Sequence, residues 1–298
     1  MTGTSRPDPG NGGPERFVRF GNTGKRLMAW PGFLLVSAIV FFPMIPAFVA
    51  AFADSDGFTL SYVLGFFTEP PHLRVLGTTI SVALIVSVAS VCLVLPACMF
   101  VAERPGAITK IFVASVVVSF WISILVRTFA WQVLLSRSGP IAGTIGDVFG
   151  AEAIPQLMYT RGAVIAAMVQ IMVPYATLML LPATRQIDRD IILAARVMGA
   201  NPWTVFRKAY WPQIMHATLA AWLLTFIISM GFFVTPALLG GTREIFMVML
   251  IESELHSFNI SWAATDSLIL MLTMALAAGL VVRLTDLPFN RLVGGATK

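Results

Sequence analysis

Histidine, cysteine and acidic side chains are the residues that most often act in catalysis or bind metal ions. In this sequence they are too far apart to indicate a catalytic site or a metal site. The three histidines, His72, His216 and His256, are scattered along the chain without metal-ligand spacing. No serine–histidine–acid or cysteine–histidine arrangement is suggested, and the acids do not pair near a histidine. The segment 21–26 is too short between its glycines for a phosphate loop. We therefore predict no catalytic residue, no metal site and no cofactor bound by this chain.

Two charged side chains could instead act on a solute, because they accompany long apolar stretches. An unpaired Arg127 would cost about 2.5–3.5 kcal/mol at a bilayer centre, so we expect it to clamp helices, stack on Trp131 or line a pathway. Asp266 opens the last apolar stretch, where a carboxylate would attract a cation or cap the helix. The full set of candidate pathway residues is Asp266, Gln170, Tyr175, Ser229, Trp131, Arg127 and Glu252.

The elements that must position these residues are apolar helices. Hydrophobic residues make up 57% of the 298 positions, charged residues 12%, and the mean hydropathy is +0.82. A soluble domain has about 25% charged residues, so the composition and the bilayer-length runs predict an all-α membrane protein. A membrane β-barrel would show alternating segments of about 10 residues instead. The net charge of +5 is spread between the spans, which argues against nucleic-acid binding.

Six spans are predicted, and the distribution of Lys and Arg orients them. The spans are at about 27–53, 76–102, 110–135, 161–183, 213–240 and 266–285. Most of the basic residues fall on one side, which predicts that both termini and the loop 184–212 are cytoplasmic. The predicted organisation is a disordered cytoplasmic tail (1–24), a first transmembrane helix with a periplasmic loop (25–75), a core transmembrane domain (76–285) and a cytoplasmic C-terminal tail (286–298).

The polar loop 184–212 has the signals of two short helices joined by a bend. Asp188 or Asp190 can cap the first helix or stabilise its N-terminus. Gly199 can adopt the left-handed conformation that ends it. The pair Asn201-Pro202 suits the N-cap and first position of the second helix. Pro212 is expected to mark the return to the membrane.

The same loop reads Leu-Ala-Ala, three residues, Gly199, nine residues, then Ala-x-Trp-Pro. This spacing resembles the EAA loop of the inner-membrane permeases of binding-protein-dependent ABC importers, whose pattern is Glu-Ala-Ala, three residues, Gly, nine residues, Ile-x-Leu-Pro. Leu193, Ala209 and Trp211 depart from that pattern. The resemblance implies a type I ABC importer permease fold with six transmembrane helices and a cytoplasmic coupling helix that docks on an ATPase. The residues expected to make this contact are Ala194, Ala195, Gly199, Ala200, Phe206 and Pro212.

Further segments resemble the spermidine/putrescine (polyamine) permeases of this family. Val126–Trp131 is similar to the segment Val-Arg-Thr-Tyr-Ala-Trp of that group, and Val173-Pro174-Tyr175 is similar to its fourth span. Thr235–Gly241 is similar to its fifth span and outer loop. Taken together, these segments resemble the first of the two permeases of a polyamine importer. Permeases for opines, 4-aminobutyrate and aminophosphonates remain alternatives, because the wider group also handles those solutes.

The resemblance also implies a location and a set of partners. The chain would lie in the bacterial inner membrane as a non-enzymatic subunit, with a second permease, an ATPase dimer that uses ATP and Mg²⁺, and a periplasmic binding protein. Two rivals are weighed from the residues themselves. A secondary transporter would show inverted repeats and ionisable residues at mid-membrane, and a membrane enzyme would show a cluster of His, Asp or Glu at one membrane face. Neither pattern is evident in the sequence.

Overall fold

The computed structural model describes residues 22–284, except 43, 55, 56, 105, 151, 153, 154, 242 and 243. Residues 1–21 of the predicted N-terminal tail and the predicted tail 286–298 lie outside the described residues. The chain divides into two compact units, Met1–Ala47 and Phe48–Lys298. Helix α1 (Asn22–Phe41) is the main element of the first unit, and all the functional residues discussed below belong to the second.

Among the described residues, the regular structure is helical apart from one minimal hairpin of the second unit, in which β1 (Ala53–Asp54) pairs antiparallel with β2 (Gly57–Phe58). The remaining helices are α2 (Met44–Ala50), α3 (Ser61–Thr68), α4 (Pro70–Ala102), α5 (Ala107–Trp121), α6 (Ile124–Leu135), α7 (Pro140–Phe149), α8 (Arg161–Arg185), α9 (Arg189–Val197), α10 (Pro202–Val205), α11 (Trp211–Met230), α12 (Val234–Leu239), α13 (Met247–His256) and α14 (Ile260–Leu284). A π-helical turn, Phe206–Tyr210, joins α10 to α11.

Within the described part of the chain, four stretches of helix are long and apolar enough to cross a membrane: Pro70–Ala102, Arg161–Arg185, Pro202–Met230 and Ile260–Arg283. Two bent pairs satisfy the same criteria when each is taken as one span, namely Trp30–Ile39 with Met44–Ala50 and Ala107–Trp121 with Ile124–Phe149. The structure therefore contains four to six candidate spans, and the predicted all-α membrane architecture is confirmed.

Two of the predicted spans are not continuous helices. The stretch 110–135 is broken between α5 and α6, and the segment Ala107–Trp121 meets the segment Ile124–Phe149 at 99°. Ser123 has the extended backbone of an N-cap (φ −54°, ψ 141°), a conformation that serine favours over the helix interior. The stretch 213–240 is broken between Met230 and Val234. Pro236 lies in the first turn of α12 and has no N–H to donate to the carbonyl of Phe232, which lies in the break, so a proline is tolerated here without the loss of a helical hydrogen bond.

Helices α4, α8 and α11 form the centre of the unit. One apolar cluster joins Val82 and Val86 of α4 to Met168, Ile171 and Met172 of α8. A second cluster brings together small and medium-sized side chains of α4, α8 and α11, among them Cys98, Ala176, Leu180 and Ala221. Small side chains allow helix backbones to approach closely where lipid provides no hydrophobic driving force for association.

Candidate functional site

Helix α9 is the central element of the predicted coupling loop, and its ends are set by local hydrogen bonds. Asp188 is the N-cap, because its side chain accepts a hydrogen bond of 2.9 Å from the N–H of Asp190. Gly199 has φ +74°, so the predicted left-handed conformation is confirmed. The N–H of Gly199 donates to the carbonyl of Arg196 and that of Ala200 to the carbonyl of Ala195, which together form a Schellman motif.

The second half of the loop runs directly into a span. Asn201 caps α10, because its side-chain oxygen accepts from the N–H of Thr204 at 2.7 Å, and Pro202 follows at the first helical position as predicted. Pro212 stands in the first turn of α11, and no loop separates α10 from α11, because residues 202–230 form one helical stretch. The π-helical turn lies just before Pro212, which lacks the N–H that a regular turn would use there.

Helix α9 presents apolar side chains to solvent. It is fully described by the structure, and none of its residues is buried. Val197 is 81% exposed and Met198, the next residue, 86%. Leu193, which stands where the family pattern has Glu, is 60% exposed, and Trp203 just beyond the bend is 67% exposed. An apolar surface of this kind on a short helix is typical of a protein contact site.

The coupling candidates differ in their exposure. Ala194 and Gly199 are exposed, whereas Ala195 and Ala200 are half-buried. Phe206 is half-buried because its ring packs against a small core formed by Ile187, Tyr210 and Ile214. The two alanines of α9, Gly199 and Ala200 therefore lie at or near the exposed surface of α9. Phe206 and Pro212 belong to the helical stretch that supports this surface.

Two contacts at its N-terminal end brace α9 against the spans. The Arg189 guanidinium donates through Nη2 to the carbonyl of Ala102, the last residue of α4, at 2.7 Å. The N–H of Asp188 donates to the side-chain oxygen of Gln213 in α11 at 2.9 Å. Clefts of about 240 Å³ and 350 Å³ lie beside α9, and both contain Met99, Glu103, Ile192, Arg196 and Tyr210. A displacement of α9 would therefore be passed to α4 and α11.

At the opposite end of α4, about 45 Å from Ala102 at 1.5 Å per residue, a histidine meets an aspartate. The Nδ1 atom of His72 lies 3.1 Å from Oδ1 of Asp266, and both side chains are buried. The Nε2 atom of His72 lies 3.7 Å from the carboxylate of Glu69. The expectation that no acid pairs near a histidine is thus wrong, because the two residues are 194 positions apart and only the tertiary fold brings them together.

Aromatic rings surround this pair. The ring of Trp262 stacks on the imidazole of His72, with centroids 4.7 Å apart and planes 13° apart. Phe66 lies on another side of the imidazole at 5.6 Å, and Tyr62 packs edge-on against Trp262 at 5.5 Å. A Cβ atom at Gly65 would come within 2.9 Å of the Trp262 ring, so a glycine is needed there for the indole to fit. We call Glu69, His72, Trp262 and Asp266 the acid–aromatic cage.

Arg127 is buried in α6, and its Nε and Nη1 atoms have no hydrogen-bond partner among the described residues. The expected stacking on Trp131 does not occur: in the part of the chain that the structure describes, the guanidinium that lies over a ring is that of Arg104, 4.0 Å from the centroid of Phe100. The next residue, Thr128, joins α6 to α12 through a 3.1 Å hydrogen bond between its hydroxyl and that of Thr235.

The other pathway candidates fall into two groups. Gln170 and Ser229 resemble Arg127, since each has a buried side-chain atom without a partner in the described chain. Trp131 and Tyr175 pack on the same apolar cluster of α4 and α8, which brings these two predicted residues together. Glu252 is separate from both groups, because its carboxylate pairs with the exposed His256 at 2.8 Å.

Known proteins resemble this chain in sequence and in structure. No protein-family model matches the chain. The spermidine/putrescine transport system permease protein PotB of Escherichia coli (strain K12) is 26% identical over 209 residues, which cover 70% of this chain and 76% of PotB. PotB of Haemophilus influenzae is 26% identical over 254 residues, which cover 82% of this chain and 88% of the relative.

The fold is also found in a solved transporter. A chain from the crystal structure of a bacterial alginate ABC transporter, in complex with an alginate pentasaccharide-bound periplasmic protein, matches with a TM-score of 0.75. The match covers 88% of this chain and 93% of that chain at 14% sequence identity, and such a low identity supports the fold alone. The sequence similarity and the shared architecture agree with the resemblance of the loop 184–212, and the chain is therefore homologous to the spermidine/putrescine permease PotB and has the fold of an ABC transporter permease.

Proposed function

We propose that this chain is one permease subunit of an ATP-driven importer in the bacterial inner membrane and that its cargo is a polyamine such as spermidine or putrescine. The similarity to PotB supports the cargo class, because it extends over most of both chains. The observation that carries the importer role is α9, a short helix with Val197 and Met198 exposed near its C-terminal end and with its N-terminal end anchored on two membrane spans.

The partners follow from this role. An ATPase subunit would cover the apolar side chains of α9, and the ATPase dimer would bind ATP and Mg²⁺. A second permease would complete the pathway, and a periplasmic binding protein would deliver the cargo. Both termini and α9 would lie in the cytoplasm, which places the acid–aromatic cage on the periplasmic side.

The mechanism requires the chain to transmit movement and to do no bond chemistry. Closure of the ATPase dimer would displace α9, and the bonds from Arg189 to Ala102 and from Asp188 to Gln213 would pass that displacement to α4 and α11. Coupling of two distant sites requires an element with two arrangements that both sites bias. The broken helices α5–α6 and α11–α12 are the segments where the spans can rearrange without breaking a regular helix.

The decisive experiment is uptake by the reconstituted complex. The chain is co-purified with its ATPase, second permease and binding protein, incorporated into proteoliposomes, and supplied with radiolabelled spermidine or putrescine with and without ATP. We expect ATP-dependent accumulation of at least one of the two. ATP-dependent uptake of an opine, 4-aminobutyrate or an aminophosphonate alone would overturn the cargo class. Accumulation without the ATPase would overturn the importer role and favour a secondary transporter.

Contact between α9 and the ATPase is tested separately by cross-linking. A photoreactive group is attached to a cysteine at Val197 in a chain in which Cys92 and Cys98 are replaced by serine. We expect a covalent adduct with the ATPase subunit. The matched control places the same group at Phe149, which is 74% exposed at the end of α7, and should give no such adduct. An adduct from Phe149 and none from Val197 would contradict the assigned docking surface.

A further inference from the structure

We propose that the acid–aromatic cage recognises an ammonium group of the cargo, with Asp266 as the carboxylate that binds it and His72 as the residue that positions that carboxylate. The proposal rests on the polyamine cargo proposed above. It assigns the recognition to the ends of α4 and α14 that lie farthest from α9.

Only one of the two carboxylate oxygens of Asp266 has a hydrogen-bond partner among the described residues. Its Oδ1 atom faces His72 at 3.1 Å, whereas Oδ2 is buried and has no hydrogen-bond partner within the described chain. Buried polar atoms in proteins are nearly always paired, and one that is not requires an explanation. An ammonium group offers three N–H donors and a positive charge, so it would satisfy this oxygen.

The indole of Trp262 covers one face of the His72 imidazole. The ring of Trp262 has the imidazole of His72 against its face at 4.7 Å, nearly parallel to it. Indole is the side chain whose face attracts cations most strongly. His72 contacts both the indole and the carboxylate of Asp266, and a carboxylate beside an aromatic ring is the chemistry that recognises an organic ammonium ion.

A second carboxylate, that of Glu69, connects the cage with solvent. The side chain of Glu69 is 53% exposed and lies 3.7 Å from Nε2 of His72, whereas Asp266 is fully buried. Carboxylates at two depths suit a cargo that carries more than one ammonium group. Glu69 would attract the first such group from the periplasmic side before another reaches Asp266.

His72 fixes the geometry without contacting the cargo. With its proton on Nδ1, the imidazole donates to Oδ1 of Asp266 and turns Oδ2 away from itself. Its ring is held by Trp262 and Phe66, so the carboxylate has one orientation. If His72 only positions the carboxylate, a side chain that keeps a hydrogen-bond donor near the place of Nδ1 should preserve binding of the cargo even without the imidazole ring.

The rival explanation is a structural clasp, in which the pair only fastens α14 to α4. The two explanations predict different effects of substitutions on the kinetics of uptake. A clasp would affect the amount of folded protein and the maximal rate, whereas a recognition site would affect KM for the polyamine. Spermidine uptake is therefore measured over a range of concentrations in the reconstituted complex with equal amounts of inserted protein.

We expect Asp266→Asn to raise KM for spermidine by about tenfold or more, because it removes the buried member of a charge pair. Glu69→Gln, which changes a half-exposed residue and should fold normally, should raise KM less. His72→Asn keeps a donor near the position of Nδ1 and should stay close to the wild type, while His72→Leu should behave like Asp266→Asn. The matched control is Asp147→Asn, which removes an exposed carboxylate from α7 and should leave KM unchanged.

A binding measurement that does not depend on transport complements the kinetics. In a chain in which Cys92 and Cys98 are replaced by serine, a cysteine at Glu69 is labelled with a membrane-impermeant maleimide. Spermidine above its KM should slow this labelling, and sodium chloride of equal ionic strength should not. A cysteine at Asp147 serves as the control and should be labelled at the same rate with and without spermidine.

The outcomes separate the two proposals. If the wild-type complex takes up spermidine but Asp266→Asn keeps the wild-type KM, or loses only maximal rate, the cage is overturned and the polyamine importer stands. If spermidine does not protect position 69, the cage is overturned as well. If the wild-type complex takes up no polyamine with ATP, the cargo class fails, and the cage fails with it. Raised KM together with protection supports the cage.

Discussion

Gly199 and Phe258 occupy the same position of the same helix-ending motif in two different helices. Each is the left-handed residue that follows the C-cap, with φ +74° after α9 and φ +60° after α13. The next residue closes the motif in both cases, through N–H bonds from Ala200 to Ala195 and from Asn259 to Glu254. Glycine adopts this backbone without a steric penalty, whereas phenylalanine does not. The two sites therefore respond oppositely to substitution.

Two substitutions of Gly199 should distinguish the effect of backbone strain from the effect of a charge at the ATPase contact. No atom lies within 4 Å of a Cβ built at this position, so space is not limiting. Gly199→Asn should retain most transport, because asparagine tolerates the left-handed conformation. Gly199→Asp has nearly the same shape but places a charge on a surface that a partner covers, and should reduce transport at least tenfold. Both are measured as ATP-dependent uptake.

The controls for Gly199 are membrane insertion and partner binding. Both variants should insert as well as the wild type, and the aspartate variant should co-purify with less ATPase. Wild-type uptake by Gly199→Asp would refute the docking of α9 on the ATPase.

Replacement of Phe258 by glycine should stabilise the isolated subunit. The side chain is 87% exposed and contributes little packing, while its left-handed backbone costs about 1 kcal/mol. Phe258→Gly should therefore raise the unfolding free energy by about that amount, measured by thermal unfolding in detergent. Phe258→Ala keeps a Cβ and should not reproduce the gain. A lower midpoint for the glycine variant would show that the ring has a stabilising contact.

The hydroxyl groups of Thr128 and Thr235 should behave as a coupled pair. The Thr128 hydroxyl also donates to the carbonyl of Ile124, so Thr235 must donate across the helix interface. Thr128→Val leaves the buried Thr235 hydroxyl without its acceptor, which costs about 1–3 kcal/mol. The double variant with Thr235→Val removes both partners and should be less destabilising than the sum of the single changes. Additive losses in thermal unfolding would mean that the bond contributes nothing.

The proposed topology predicts opposite labelling at two exposed sites. Cysteines are introduced at Asn201 and, separately, at Glu152 in a chain in which Cys92 and Cys98 are replaced by serine. A membrane-impermeant thiol reagent added to intact spheroplasts should label position 152 only, and lysed spheroplasts should allow labelling of both. Labelling of position 201 in intact spheroplasts would reverse the orientation and remove α9 from the cytoplasm.

Local features of the coupling loop could be predicted from the sequence because neighbouring residues determine them. A cap residue needs only an N–H two or three positions away, as at Asp188 and Asn201. Gly199 was expected to be left-handed because few other residues tolerate that backbone. The uninterrupted helix 202–230 was missed, because a π-helical turn before Pro212 allows the helix to continue through a residue that usually ends one.

The apolar composition and its spacing determined that this is a helical membrane protein, because a bilayer-length run has few other stable structures. Sequence resemblance also predicted the similarity to the spermidine/putrescine permeases. Only the tertiary structure decided where spans break and which polar groups meet, because these depend on packing between distant segments. Asp266 shows the difference: in the sequence it is a lone acid at the start of a span, and in the fold it is a buried partner of His72, 194 residues away.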